Sequence, residues 1–194
     1  MFLRVAAFHR AFGHPVGTTP DFPTQNIRNL RISLIGEELE EYCAAFAAND
    51  LVKMADGLAD LCYVLAGTAV AYGIAEDTNY ESKYETYDFS HMAELNQYNV
   101  YLRTDFTDYL NAEQTNDLHA VKYAILRMMD RIFIIARQSN IPINAVFSEV
   151  HRSNLSKLGE DGKPILRADG KVLKGPHYTP PDIASILCEK DKYS

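Results

Sequence analysis

Acids recur at Glu37, Glu38, Glu40 and Glu41, and again at Asp56 and Asp60, within an otherwise apolar part of the chain. Residues three and four apart share a helix face, so Glu38 and Glu37 each point with Glu41, and Asp56 points with Asp60. Oxygen-only groups gathered in this way, with no His or Cys among them, suit a hard ion such as Mg2+ or Mn2+. Without an ion, crowded carboxylates repel one another and lose hydration. A solvated helix face accounts for the glutamates alone. It accounts poorly for Asp60, whose neighbours Leu58, Leu61 and Cys62 are apolar. Pairing of Asp60 with Arg31 or Arg127 is the competing structural account.

The elements that must position these acids are helical. Residues 2–12 read as a first helix, closed by the Gly-, Pro- and Thr-rich stretch "GHPVGTTPDFPT". A second helix begins near Gln25, and from Leu30 its apolar residues Leu34, Ile35, Leu39, Tyr42 and Phe46 keep three- and four-residue steps. Asn49 and Asp50 end it and cap a third, along which Leu51, Ala55, Leu58, Leu61 and Leu65 hold the period until Gly73. The short Asn-Asp turn makes the two helices an antiparallel hairpin and brings the acids of both to a comparable level.

Residues 76–99 are polar and tyrosine-rich and read as partly helical. A strong helix spans 118–139 and a last one 145–158. Two Asp-Gly turns in the tail, residues 159–194, allow a short hairpin there. No long β-alternation occurs elsewhere, so the class is all-α, with a helical bundle as its core.

At an offset of 67 the segment 30–74 lies over 97–141. Glu38 then meets Asp105, Glu41 meets Asp108 and Tyr42 meets Tyr109, while Asp56 and Asp60 meet Tyr123 and Arg127. Either the chain holds a duplicated hairpin in which one copy lost its acids, or helices of equal period align by default.

The 194 residues make one domain of ordinary globular composition, 1–194. A net charge of -7 argues against a broad grip on nucleic acid, which needs a basic stripe. Cys43, Cys62 and Cys188 show no metal-ligand spacing and no disulfide framework. The absence of a signal-like start or a membrane-length apolar run makes a cytoplasmic protein the expectation.

The pattern Glu37-Glu38-x-x-Glu41, followed by "DGLADLCYV" with Asp60, resembles the EExxE, spacer, ExxD signature of the all-α nucleoside triphosphate pyrophosphohydrolases. That superfamily includes MazG, the dimeric dUTPases and phosphoribosyl-ATP pyrophosphohydrolase. The tail "EVHRSNLSKL…DGKVLKGPHYTPPD" is similar to that of phosphoribosyl-ATP pyrophosphohydrolase-like members. One departure stands out, because the position three before Asp60, where the signature has Glu, is Gly57; Asp56 is the nearest acid on that face.

The resemblance implies a MazG-like four-helix core and a Mg2+ site, with Mn2+ as substitute. Glu38, Glu41 and Asp60 would be ligands, and Asp56 a weaker one. Glu37 would ligate or orient the attacking water, so that Glu37 and Glu38 are the catalytic pair. Asn154, Lys157 and Lys174 would contact the substrate; Lys171 and Lys174 of the tail either close over the nucleotide or stand in a solvated turn, the second being the favoured reading. The implied reaction cleaves a (d)NTP between its α and β phosphates, giving (d)NMP and pyrophosphate. The alternatives are hydrolysis of phosphoribosyl-ATP and a non-catalytic helical binding module. A homodimer is expected, since related hairpins pair into four-helix arrangements.

Overall fold

The computed structural model describes residues 1–75 and 95–190. Seven helices are found among these residues: α1 (Phe2–Ala11), α2 (Gln25–Ala47), α3 (Leu51–Ala71), α4 (Leu95–Thr115), α5 (Leu118–Gln138), α6 (Ile143–Leu155) and α7 (Ile183–Lys190). The all-α class and the helical bundle are thus as the apolar period indicates. The polar stretch read as partly helical lies outside the described residues as far as position 94, and the rest of it opens α4.

α2 packs on α3 and α4 packs on α5, while α3 touches α5 and α2 touches α4, so two antiparallel hairpins build the central bundle. α1, α6 and α7 also lean on α3. This placement explains why α3 is apolar nearly all round, with Leu58, Leu61, Cys62 and Leu65 fully buried. Each such aliphatic side chain gains about 2 kcal/mol on leaving water. α3 is the one described helix apolar and long enough to cross a membrane by composition, and 83% of the relevant stretch is buried within the fold.

Local chemistry sets both hairpin turns. Asp50 accepts a hydrogen bond from the Lys53 amide, and Asp117 accepts one from the Ala120 amide, capping α3 and α5. The residues just before them, Asn49 and Asn116, take the left-handed conformation with φ of 54° and 53°, which asparagine tolerates better than most residues. The two hairpins are tied by Arg28, which donates to Glu113 at 2.7 Å and to Asn116 at 2.8 Å, and by Tyr72, which donates to Glu113 at 2.5 Å.

Several boundaries differ from the sequence reading, those of the first helix (read to 12, ending at Ala11) and of α5 (read to 139, ending at Gln138) by one residue. The helix expected over 145–158 begins at Ile143 and ends at Leu155. The eight-residue α7 was not foreseen; it starts after two prolines, where Asp182 accepts hydrogen bonds from the amide and hydroxyl of Ser185. The tail does turn back on itself. An antiparallel bridge joins Leu166 to Val172, with Gly170 at φ 93° in the turn.

Candidate active site

α2 and α3 bring their acids together because they cross in close contact. A Cβ on Gly57 would stand 3.0 Å from the Tyr42 Cα and 3.1 Å from the Tyr42 Cβ. The position that carries Glu in the family signature therefore faces the backbone of the neighbouring helix, which a side chain there would have to push back by a few tenths of an ångström. The next acid, Asp56, stands at the edge of this contact. Gly57→Glu, which rebuilds the signature, should push the helices apart and lower stability by ~1–3 kcal/mol, read as a fall in the melting temperature. A more stable variant would show that the crossing yields.

Asp60 forms a wall between two openings. On one side it shares a cleft of about 620 Å3, solvent at the mouth included, with Glu38, Arg31, Tyr63, Asn154 and Lys157. On the other it shares a second depression with Glu41, Asp56 and Lys53. Glu38, Glu41, Asp56 and Asp60 thus surround the same stretch of α2 and α3, and Asp60 faces both groups.

Their electrostatics show the cost of this gathering. Burial first, with Asp60 and Glu41 beside it, pushes the Glu38 carboxyl up to about 8. Burial and the neighbouring Asp56 push Asp60 up to about 7. Asp56 is raised as well, by burial and by Glu41. One Asp56 oxygen, Oδ1, is buried with no hydrogen-bond partner. Neither arginine offered as a structural partner meets Asp60. Arg31 donates to the Thr68 hydroxyl at 3.0 Å and to the Val64 carbonyl, and Arg127 pairs with Asp105 at 3.1 Å and with Asp108.

Among the described residues, no three His, Cys, Asp or Glu side chains are already closed around one point. The donor chemistry nevertheless fits a hard divalent cation: four carboxyls, an unpartnered buried oxygen, and acids raised by burial and by one another. Glu37 is placed differently. It accepts from Ser33 at 2.9 Å and pairs with Lys171, which hold its carboxyl below the usual range. Glu37 therefore sits at the rim, bound to the tail.

The tail supplies positive charge. Lys171 lines the cleft rather than standing in a solvated turn, and it opposes the rise of Glu38. Lys157 donates to Asn154 Oδ1 at 2.6 Å, and both residues face the cleft. Lys174 lies over the Tyr178 ring, 4.5 Å from its centroid, and its charge reaches Asp56 and Asp60. The rest of "HRSNLSK" holds the tail in place: Arg152 donates to Thr179 at 2.6 Å and Ser153 donates to the Thr179 carbonyl at 2.9 Å. Tyr63 meets His151 at 3.0 Å on the cleft wall.

Sequence reasoning offered Arg31 only as a partner for Asp60 and did not single out His9. Arg31 is buried without a carboxylate partner among the described residues, and His9 beside it is held neutral, lowered to about 3 by burial and by that guanidinium. A Cβ on Gly67 would stand 2.5 Å from Arg31 and 2.9 Å from His9, so this glycine makes their room. The only sequence signal for Arg31 is a cation on the apolar face of α2.

The chain thus carries an acidic face shared by two helices inside an all-helical bundle. Residues 5–85, which contain most of α1, all of α2 and α3 and all four acids, match the family described as phosphoribosyl-ATP pyrophosphohydrolase. This match, to less than half of the chain, is a likeness to the all-α nucleoside triphosphate pyrophosphohydrolases and supports a nucleotide pyrophosphohydrolase-like function in general terms. An uncharacterized protein of Acanthamoeba polyphaga mimivirus is 27% identical over 178 residues, covering 79% of this chain and 69% of that relative. No solved structure matches the chain.

Proposed function

We propose that the protein is a Mg2+-dependent pyrophosphohydrolase that cleaves a (d)NTP between its α and β phosphates, yielding (d)NMP and pyrophosphate. The observation that most supports this is the crowding of Glu38, Glu41, Asp56 and Asp60 about one wall, with a buried Asp56 oxygen left unpartnered. Glu38, Glu41 and Asp60 are the residues that would hold the ion, with Asp56 as a fourth. Mg2+, or Mn2+ in its place, neutralises the charge of a polyphosphate and lowers the pKa of a bound water.

The remaining work falls to the chain's own groups. Asn154 and Lys157 bind phosphate oxygens from the side of the cleft that Glu38 and Asp60 share, and Lys174 adds a charge from the tail. Glu38 is positioned to take the proton of the attacking water. Glu37 acts through Lys171, holding that ammonium over the cleft. The net charge of -7 favours free nucleotides over nucleic acid as partners, and a cytoplasmic setting suits such a substrate.

Incubation with a panel of nucleotides and Mg2+, with pyrophosphate as the readout, tests this reading. Release from a (d)NTP upholds it. The family pattern matched by residues 5–85 favours phosphoribosyl-ATP as a second substrate reading, and activity on that compound alone would select it. Silence on every nucleotide together with no bound ion leaves a helical binding module. Lys157→Ala should raise KM roughly tenfold with kcat nearly unchanged, because it removes binding common to ground and transition states. An unaltered KM would return Lys157 to the surface.

A further inference from the structure

The α4–α5 hairpin repeats α2–α3 position by position at an offset of 67 residues. The turn amides of Asp50 and Asp117 reach the carbonyls of Ala45 and Ala112, at 3.1 and 3.0 Å. The amides of Ile74 and Ile141 reach the carbonyls of Ala69 and Ala136, at 3.0 and 2.7 Å. Gly73 and Asn140 both take positive φ, 64° and 55°. Tyr42 and Tyr109 are both fully buried, as are Cys62 and Met129. Where α3 has Gly57 against Tyr42, α5 has the small and buried Ala124. Equal helical period accounts for shared burial. It does not account for matching caps, left-handed residues and closing hydrogen bonds at one offset.

The equivalents of the site acids differ at two positions. Asp105 and Asp108 stand where the first hairpin has Glu38 and Glu41, and Arg127 stands where it has Asp60. Arg127 Nε lies 3.1 Å from Asp105, and its other end pairs with Asp108. Arg131 adds a second cation 3.4 Å from Asp105. In place of Asp56 there is Tyr123, whose ring centroid lies 5.2 Å from the Arg127 guanidinium. In this hairpin, therefore, the three positions do converge on one cationic group.

We infer that α4–α5 is a degenerate copy of the site hairpin in which the Arg127 guanidinium stands in the place of a bound cation, so that one chain carries one ion-binding hairpin and its own bundle partner. The inference rests on the cation reading of the first hairpin. It replaces the homodimer expected from an apolar hairpin seeking a mate, because α4–α5 already covers that hairpin within the chain.

The test exchanges the two charge sets. Arg127→Asp with Arg131→Val gives the second hairpin the residue types of positions 60 and 64. This double variant should bind at least one more Mn2+ per chain than wild type, counted from the electron spin resonance of free Mn2+. Its melting temperature should be low in chelator and recover with Mn2+. A fold with no added ion, or one that Mn2+ does not restore, overturns the inference. In the reverse direction, Asp60→Arg should bind no Mn2+ and melt higher than wild type in chelator, since the new guanidinium meets Glu38 and Glu41 as Arg127 meets its aspartates. A lower melting temperature for Asp60→Arg denies that the hairpins are equivalent. Catalytically competent protein should sediment as a monomer; an obligate dimer would overturn the self-partnering half. Failure of the cation reading shows separately, as wild-type protein that binds no Mn2+ at all.

Discussion

Asp60→Asn and Glu41→Gln should each lower kcat by at least about a thousandfold while far-ultraviolet circular dichroism stays at the wild-type level. Both residues face the space between α2 and α3, and each change removes a negative oxygen without altering side-chain volume. Asp60 borders both openings, so its loss removes the group through which Glu38 on one side and Glu41 with Asp56 on the other are joined. The fold should not suffer. Asp60 is raised by burial and by its acidic neighbours, and an amide there relieves repulsion that the ion-free protein otherwise carries. Asp60→Asn should therefore melt no lower than wild type in chelator. Turnover at the wild-type rate in either variant would remove both residues from the site.

The second large effect is a reversal of pH dependence by divalent ion. Glu38 is raised to about 8 and Asp60 to about 7, whereas in the unfolded chain both ionise in the ordinary carboxylate range. Between those limits the folded state holds more protons than the unfolded one, so its stability falls as pH rises. Ion-free protein should thus melt highest at about pH 5 and lose several degrees by about pH 8.5, given roughly 2–4 °C per kcal/mol for a chain of this size. Mg2+ bound at the deprotonated folded site, as proposed, should restore the melting temperature at the upper end of that window. The same titration on Asp60→Asn should be flatter. A melting temperature that climbs with pH in chelator, or that ignores Mg2+ near pH 8.5, would contradict the crowded-acid account.

Much of the architecture was legible in the residues because it is local. Apolar steps of three and four mark α2, α3 and α5, and Asn-Asp pairs followed by a leucine mark both hairpin turns. The acid set was legible for the same reason, since spacing along one helix decides which carboxylates share a face. α7 was hidden because eight residues following two prolines give too little period to read.

What local pattern could not supply was approach between elements distant in sequence. Lys171 reads as a turn residue, yet the tail hairpin carries it across to Glu37, 134 positions away. Gly57 reads as a departure from a signature, and only the contact with Tyr42 shows how closely the two helices cross there. Arg31 and Arg127 were equal candidates to neutralise Asp60, and packing sent one to Thr68 and the other to Asp105 and Asp108.

The chain by itself determined a helical hairpin bearing acids on two adjacent faces, because backbone period and capping chemistry act over a few residues. Tertiary structure decided which acids meet, which lysines oppose them and which hairpin already holds its own cation. Those outcomes depend on how helices cross and on where a distant tail lies, and no spacing along a single helix encodes them.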